Sequence, residues 1–188
     1  MCPMKNTIVP YNKARRLIQD GDLIFFRGSG LVSSAIMNVT SCPFSHVEIA
    51  QWNLGLLMVM GATSRGTVYR RLSSLAPEYS LMAVGRVAQT GVVGDSTATK
   101  AVGTALNHLG KPYDFIRLGE IWLMEKMEVD GIKDTAGEKD SFICSEFVAL
   151  AYRAAGLDLV PDKPDHLTTP ADILGSALVE RKFDFSPR

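Results

Sequence analysis

Apolar residues recur at two different periods along this chain, and the change of period divides it. Between Asp22 and Val87 the apolar runs are short and end at turn residues. Asp22-Leu23-Ile24-Phe25-Phe26-Arg27 follows a Gly-Asp turn and stops at Gly28-Ser29-Gly30. Ser45 to Trp52 and Leu56 to Ala62 flank Asn53-Leu54-Gly55, and Thr67 to Leu72 and Leu81 to Val87 complete the set. Runs of this length, rich in β-branched and aromatic residues, read as strands, with a hairpin at Asn53-Leu54-Gly55. The middle of the chain is therefore predicted to be an antiparallel meander, and such a sheet needs helices to cover it.

Elsewhere the period is helical. Ala98, Ala101, Val102, Ala105, Leu106 and Leu109 share one side of a helix capped by Val93-Gly94-Asp95-Ser96 and closed by Gly110 and Pro112. His108 lies off that stripe and is predicted to face solvent. Short helices are expected over Tyr11 to Gln19, Leu31 to Met37 and Thr169 to Leu174, and a further helix over Ile116 to Met127. A charged, glycine-containing loop from Val129 to Asp140 and a polar C-terminal tail complete the pattern.

The helical stripe that matters most is Cys144, Phe147, Val148, Ala151, Tyr152 and Ala155, with Asp140 or Ser141 as cap and Gly156 as stop. Its first apolar position is a thiol. In the first turn of a helix, unpaired N–H groups and the positive end of the dipole stabilise negative charge and lower a thiol pKa. Cysteine is also a good small core residue, and the stripe taken alone favours that role. In the strand after the Thr40-Ser41-Cys42-Pro43-Phe44 loop, period two puts His46, Glu48 and Ala50 on one face and Val47 and Ile49 on the other. That pattern suits a polar site and an exposed sheet face equally.

Composition narrows the classes. A chain of 188 residues, 46% hydrophobic and 21% charged, fits one soluble globular domain spanning 1–188, with a core of about 20–175. Twenty basic residues balance twenty acidic ones, so charge gives no reason to expect a nucleic acid or an anionic membrane as partner. Cys2, Cys42 and Cys144 are an odd number at wide spacing, which argues against a disulfide framework and for a reducing compartment. No window approaches the roughly 18 apolar residues of a membrane span, and no apolar run follows a basic start. The expected location is cytoplasmic or virion-associated. Cys42 and His46 form a C-x3-H pair with no second pair nearby, so no metal is expected and no cofactor is called for; Cys42 reads as a loop or core residue. His166 sits in a proline-rich loop, and the sequence assigns it no role.

Four motifs occur in order: Gly21-Asp22-Leu23-Ile24-Phe25, Phe44-Ser45-His46-Val47, Leu109-Gly110-Lys111-Pro112-Tyr113-Asp114-Phe115, and Cys144-Ser145-Glu146-Phe147-Val148. Together they resemble the circularly permuted, YiiX-like branch of the NlpC-type papain-like cysteine peptidases and amidases, which is related to the lecithin retinol acyltransferases. The resemblance implies an α+β, permuted papain-like fold: an antiparallel sheet presenting a histidine, packed against helices, one of which presents the cysteine at its N-terminus. It implies Cys144 as nucleophile, His46 as general base, and Tyr113 as a residue lining the site and assisting the oxyanion, beside the N–H of Cys144 itself. One position departs from the family. Ungapped counting from His46 puts the usual polar orienting residue at Gly61, while the position two after the histidine, commonly glycine in relatives, is Glu48. The two look like an exchange between hairpin neighbours, with Glu48 orienting His46; Thr63, Ser64 or a backbone carbonyl could serve instead.

The function these readings imply is a cysteine hydrolase that cleaves an amide through an acyl-enzyme, with cell-wall peptides as substrate class and a phage origin as one way to reconcile that substrate with the absent leader. Two alternatives stand beside it. One is a lipid acyltransferase or esterase of the same fold, with Trp122, Leu123, Met124 and Met127 as a possible groove. The other is a catalytically retired binding or virion structural protein. A cysteine and histidine in contact in an open cleft would separate the enzymes from the last.

Overall fold

The computed structural model describes residues 8–75, 78–87, 95–114 and 142–186. The predicted helix over 116–127, the loop over 129–140, the caps at Asp140 or Ser141 and at Val93-Gly94, and the Trp122 to Met127 groove lie outside them. Strands β1 (Ile8–Pro10), β2 (Leu23–Arg27), β3 (His46–Asn53), β4 (Leu56–Thr63), β5 (Gly66–Arg71), β6 (Leu81–Val87) and β7 (Val179–Ser186) form one sheet in the order β1-β7-β6-β2-β3-β4-β5. Every neighbouring pair is antiparallel except β1 with β7. Among the described residues the α-helices are α1 (Tyr11–Ala14), α2 (Leu31–Val39), α3 (Asp95–Asn107), α4 (Cys144–Ala154) and α5 (Pro170–Gly175). The fold is α+β.

Both faces of the central strands are buried, which is why β2 reads as a continuous apolar run instead of an alternation. Leu23, Phe25, Val47, Ile49 and Met60 pack against Ala101 and Ala105 of α3 and Phe147, Val148, Ala151 and Tyr152 of α4. Ile24, Phe26, Ala50, Val59, Met82 and Val84 face the other way, against Ala14, Ile18, Leu72 and Leu75. The Tyr152 hydroxyl donates to the Gly21 carbonyl, fixing α4 to the turn before β2. Gly21 has φ of 81°, a conformation that favours glycine, and a Cβ there would meet Ala98 at 2.6 Å.

The predicted meander holds for β3, β4 and β5 but not for β6. A 3₁₀ turn over Leu72–Leu75, with both leucines buried, carries the chain away from β5, and β6 pairs instead with β2 and β7. Asp22 secures that pairing: Arg86 donates from Nε and Nη2 to its two carboxylate oxygens, each at 2.7 Å. The predicted polar tail is strand β7. Its charged residues conceal it in the sequence, yet Val179 and Phe185 are buried, and buried Asp184 is gripped by Arg181 at 2.9 and 2.7 Å. The predicted first helix is only four residues long before the chain enters turns, one closed by the Gln19 N–H on Asp22. On α3, Ala101, Val102 and Ala105 are buried as expected whereas Leu106 is exposed. His108 is not turned to solvent. It is half-buried, its Nδ1 lies 2.8 Å from the Thr104 carbonyl oxygen, and its ring meets Phe142 edge-on at 5.5 Å. Cys42 is a core residue, 2% exposed.

Candidate active site

The thiol at the start of α4 is positioned by a helix that begins inside the core. Its N-cap is Ile143, preceded by Phe142, and both are buried; Ile143 offers no side-chain acceptor to the first turn. Glu146 reaches back to the Ile143 N–H at 3.4 Å, and Ser145 Oγ donates to the Thr168 carbonyl at 2.5 Å. With no side-chain acceptor at the cap, first-turn N–H groups remain available to the sulfur. The backbone N–H groups of Ser145 and Val47 both donate to it.

His46 opens β3 and faces the same sulfur across the join between helix and sheet, in hydrogen-bond contact. Its Nε2 lies 2.7 Å from Glu48 Oε1. The ring is also packed against Phe26, at 5.6 Å between centroids, and lies parallel to Tyr79 at 6.5 Å. Glu48 is fully buried, and it fits because the facing residue has no side chain. A Cβ on Gly61 would fall 2.4 Å from Glu48 Cγ. The carboxylate thus occupies the volume that a side chain at Gly61 would need.

Arg70, on β5, comes from the same sheet face and donates from Nη2 to Glu48 Oε1 at 2.6 Å. Sequence reasoning missed it, and it missed Tyr79. The signal was present but conditional: Ala50 pairs with Val59 and Val59 with Arg70, so the face of Glu48 continues into Arg70 only once the register is known.

Tyr113 is brought to the cleft by the chain of the Lys-Pro-Tyr-Asp motif. It forms a parallel bridge with Phe142, closed by the Asp114 N–H on the Phe142 carbonyl and the Phe142 N–H on the Pro112 carbonyl, each at 3.1 Å. The motif is held at its other end by the Thr67 N–H donating to the Lys111 carbonyl at 2.8 Å. The four predicted residues, Cys144, His46, Glu48 and Tyr113, therefore converge. Thr63 and Ser64, named as substitutes for Glu48, line the same cleft without entering its hydrogen bonds to His46.

Burial opposes charge on each of these groups, and their mutual interactions overcome it. Burial pushes the Cys144 thiol up, but the charge and hydrogen bond of His46, with the two backbone donors, bring it below its ordinary value. Burial pushes His46 down, but the Cys144 sulfur and then Glu48 hold it well above its usual range. Burial likewise raises Glu48, and His46 and Arg70 more than reverse this. Tyr113 is raised by burial first and then by the charges of Cys144 and Asp114, so its hydroxyl keeps its proton. The arrangement favours a thiolate–imidazolium pair backed by a carboxylate.

The pair opens into a cleft of about 460 Å³ walled by Val32, Ser33 and Ile36 of α2, by Thr63, Ser64 and Arg65 of the β4–β5 turn, and by Tyr79 and Tyr113. Cys144 is 6% exposed and the His46 side chain 14%, so both reach solvent through that opening. A buried pair with one accessible side can attack a carbonyl delivered from the cleft.

A sequence profile of the permuted papain-like amidase enzymes, the YaeF/YiiX or C92 family, matches residues 17–163. Among solved structures, the crystal structure of metalloprotein yiiX from Escherichia coli O157:H7 is similar at a TM-score of 0.66, with 20% identity, over 87% of this chain and 96% of that one. At that identity the likeness is one of fold. No curated protein sequence matches this chain. The description as a metalloprotein belongs to yiiX; among the described residues here, no group of three or more His, Cys, Asp or Glu is placed to hold a metal ion. Nor is any helix among them long and apolar enough to cross a membrane.

Proposed function

The chain belongs to the permuted papain-like amidase family of cysteine hydrolases, and on that premise we propose that Cys144 is its nucleophile, His46 its general base, Glu48 the group that orients the imidazole and Tyr113 an oxyanion donor. The observation that carries this reading is a single one: His46 is held between the Cys144 sulfur and the Glu48 carboxylate at the floor of an open cleft.

The thiolate attacks the amide carbonyl carbon, and the negative charge moves to the carbonyl oxygen, where the Cys144 N–H and the Tyr113 hydroxyl donate to it. The imidazolium of His46 gives its proton to the amine nitrogen as the C–N bond breaks, leaving a thioester on Cys144. A water then attacks the thioester while His46 takes its proton, and the thiolate departs as the acid is released. Glu48 keeps the ring aligned and its imidazolium stabilised through both halves.

As substrate we propose a cell-wall peptide amide. The ordered motifs and their resemblance to NlpC-type enzymes support this. A second reading, an acyl amide or ester of a lipid, draws on α2. Leu31 is 92% and Val32 60% exposed, and Val32 lines the cleft. The test is hydrolysis of synthetic stem peptides and of N-acyl amides and lipid esters by the wild type and by Cys144→Ala. Turnover of stem peptides that vanishes in the variant supports the first substrate. Turnover of acyl substrates alone moves the reading to the second. Iodoacetamide alkylation with the pH profile of an ordinary thiol, in the wild type, would overturn the catalytic assignment and favour a binding or structural role.

A further inference from the structure

Behind the pair stands Arg70, whose Nη2 meets Glu48 Oε1 at 2.6 Å while His46 Nε2 meets the same oxygen at 2.7 Å. The other carboxylate oxygen, Oε2, is buried and makes no hydrogen bond among the described residues. One oxygen therefore carries both contacts, and His46 and Arg70 are the groups that hold the charge of a fully buried carboxylate. The rest of the surroundings offers Glu48 no replacement: Ile24 of β2 lies opposite it in the sheet, and Gly61 of β4 contributes no side chain. The further charged and titratable groups touch the outer partners. Glu78 Oε2 is 3.8 Å from Arg70 Nη1, Tyr79 lies beside the guanidinium, and Cys144, with Tyr113 beside it, lies beyond His46.

We infer that Arg70 is a positioning residue that keeps the Glu48 carboxylate ionised and aimed at His46. Counting formal charges along the row, thiolate, imidazolium and carboxylate sum to −1, and the guanidinium brings the total to zero. A buried row with one uncompensated negative charge loses it by taking up a proton, and the carboxylate, having no solvent contact, is where that proton goes. A protonated Glu48 no longer stabilises the imidazolium, so the thiolate fraction falls with it. Arginine suits the task because its guanidinium stays charged at every accessible pH and its planar fork reaches Glu48, Glu78 and Tyr79 together; a lysine supplies the charge without the fork.

This inference rests on the catalytic reading of Cys144 and His46, and its test separates the two. The titration of Glu48 is followed by the carboxyl ¹³C shift in the protein with Cys144 intact, with and without Arg70→Met. The pH dependence of Cys144 alkylation by iodoacetamide is measured in the otherwise wild-type protein and in the same Arg70 variants. In Arg70→Met the Glu48 midpoint is expected to rise by about one pH unit or more, a tenfold gain in proton affinity. The acid limb of alkylation should move upward in the same direction, and Arg70→Lys should give a smaller shift of the same sign. A residue that only tied β5 to the sheet would lower the melting temperature and leave both midpoints where they are. A folded Arg70→Met protein with an unshifted Glu48 midpoint overturns the inference. If Arg70→Met does not fold, Arg70→Gln, which keeps a hydrogen-bond donor and removes the charge, decides, since an unshifted midpoint there overturns the inference as well. Failure of the catalytic reading has a different signature, an ordinary thiol profile at Cys144 in the protein with Arg70 intact.

Discussion

Glu48 fills the space that any side chain at Gly61 would require, its Cγ lying 2.4 Å from where the Cβ would be. The two positions are thus one site divided between neighbouring strands, and the carboxylate can be supplied from only one of them at a time. Gly61→Ala is expected to push Glu48 out of its alignment with His46, costing about 1–3 kcal/mol of stability as an overpacked core position and lowering kcat/KM. Thermal unfolding and steady-state kinetics of Gly61→Ala, Glu48→Ala and the double variant check this. The double variant should recover the stability that Gly61→Ala loses, and strict additivity would contradict the shared-space account.

Glu48→Gln keeps the shape of the side chain and removes its charge. A hydrogen bond to a charged partner contributes about 1.5–3 kcal/mol, so kcat/KM is expected to fall about ten- to hundredfold with KM little changed. Unchanged turnover would remove Glu48 from the site.

The pH profile follows from the two opposed shifts at the reacting pair. Cys144 is held below its ordinary pKa and His46 well above its own. The thiolate–imidazolium form therefore exists between those two folded-state values, with activity rising through the first and falling through the second as pH increases. In His46→Ala the acid limb of Cys144 alkylation should move up toward an ordinary thiol. Stability has its own signs. Glu48 is depressed on folding, so its contribution is complete above its unfolded pKa and is lost as pH falls through the lower folded value. His46 is raised, so its contribution is complete below its unfolded pKa and is lost as pH climbs through the higher one. Denaturant titrations across pH, compared between wild type and Glu48→Gln, should show the acid-side loss in the wild type alone.

Tyr113→Phe tests the oxyanion role. The hydroxyl is held protonated beside the sulfur. Its loss is expected to lower kcat on the order of a hundredfold while leaving KM and the pH midpoint of Cys144 alkylation nearly unchanged. A change confined to KM would make Tyr113 a substrate-binding residue.

Much of this site is legible in the sequence because its elements are local. The helical stripe starting at Cys144 and the period-two face of His46 and Glu48 each lie within a few residues, and the strands and helices that present them formed where the pattern placed them. What could not be read depends on register and on distant pairing. Arg70 joins Glu48 only through two ladders, and β6 turns from β5 to β2 because Leu72 and Leu75 are buried in a turn that carries no periodic signal. β7 was hidden for a different reason. Its Arg181 and Asp184 neutralise each other inside the fold, so a strand with one buried acid resembles a polar tail until the pairing is seen. The N-cap of α4 is apolar Ile143, a start with no side-chain acceptor of its own, which leaves N–H groups to the sulfur.

The place of β7 between β1 and β6 sets an order of events during synthesis. Among the described strands β1 pairs only with β7, so it must wait until residues 179–186 have been made. Until then β6 carries an open edge of unpaired backbone groups, the kind that recruits foreign strands. His46 emerges long before Cys144, and the two meet only when α4 docks. A chain halted after residue 87 and before residue 179 would therefore be sticky along β6.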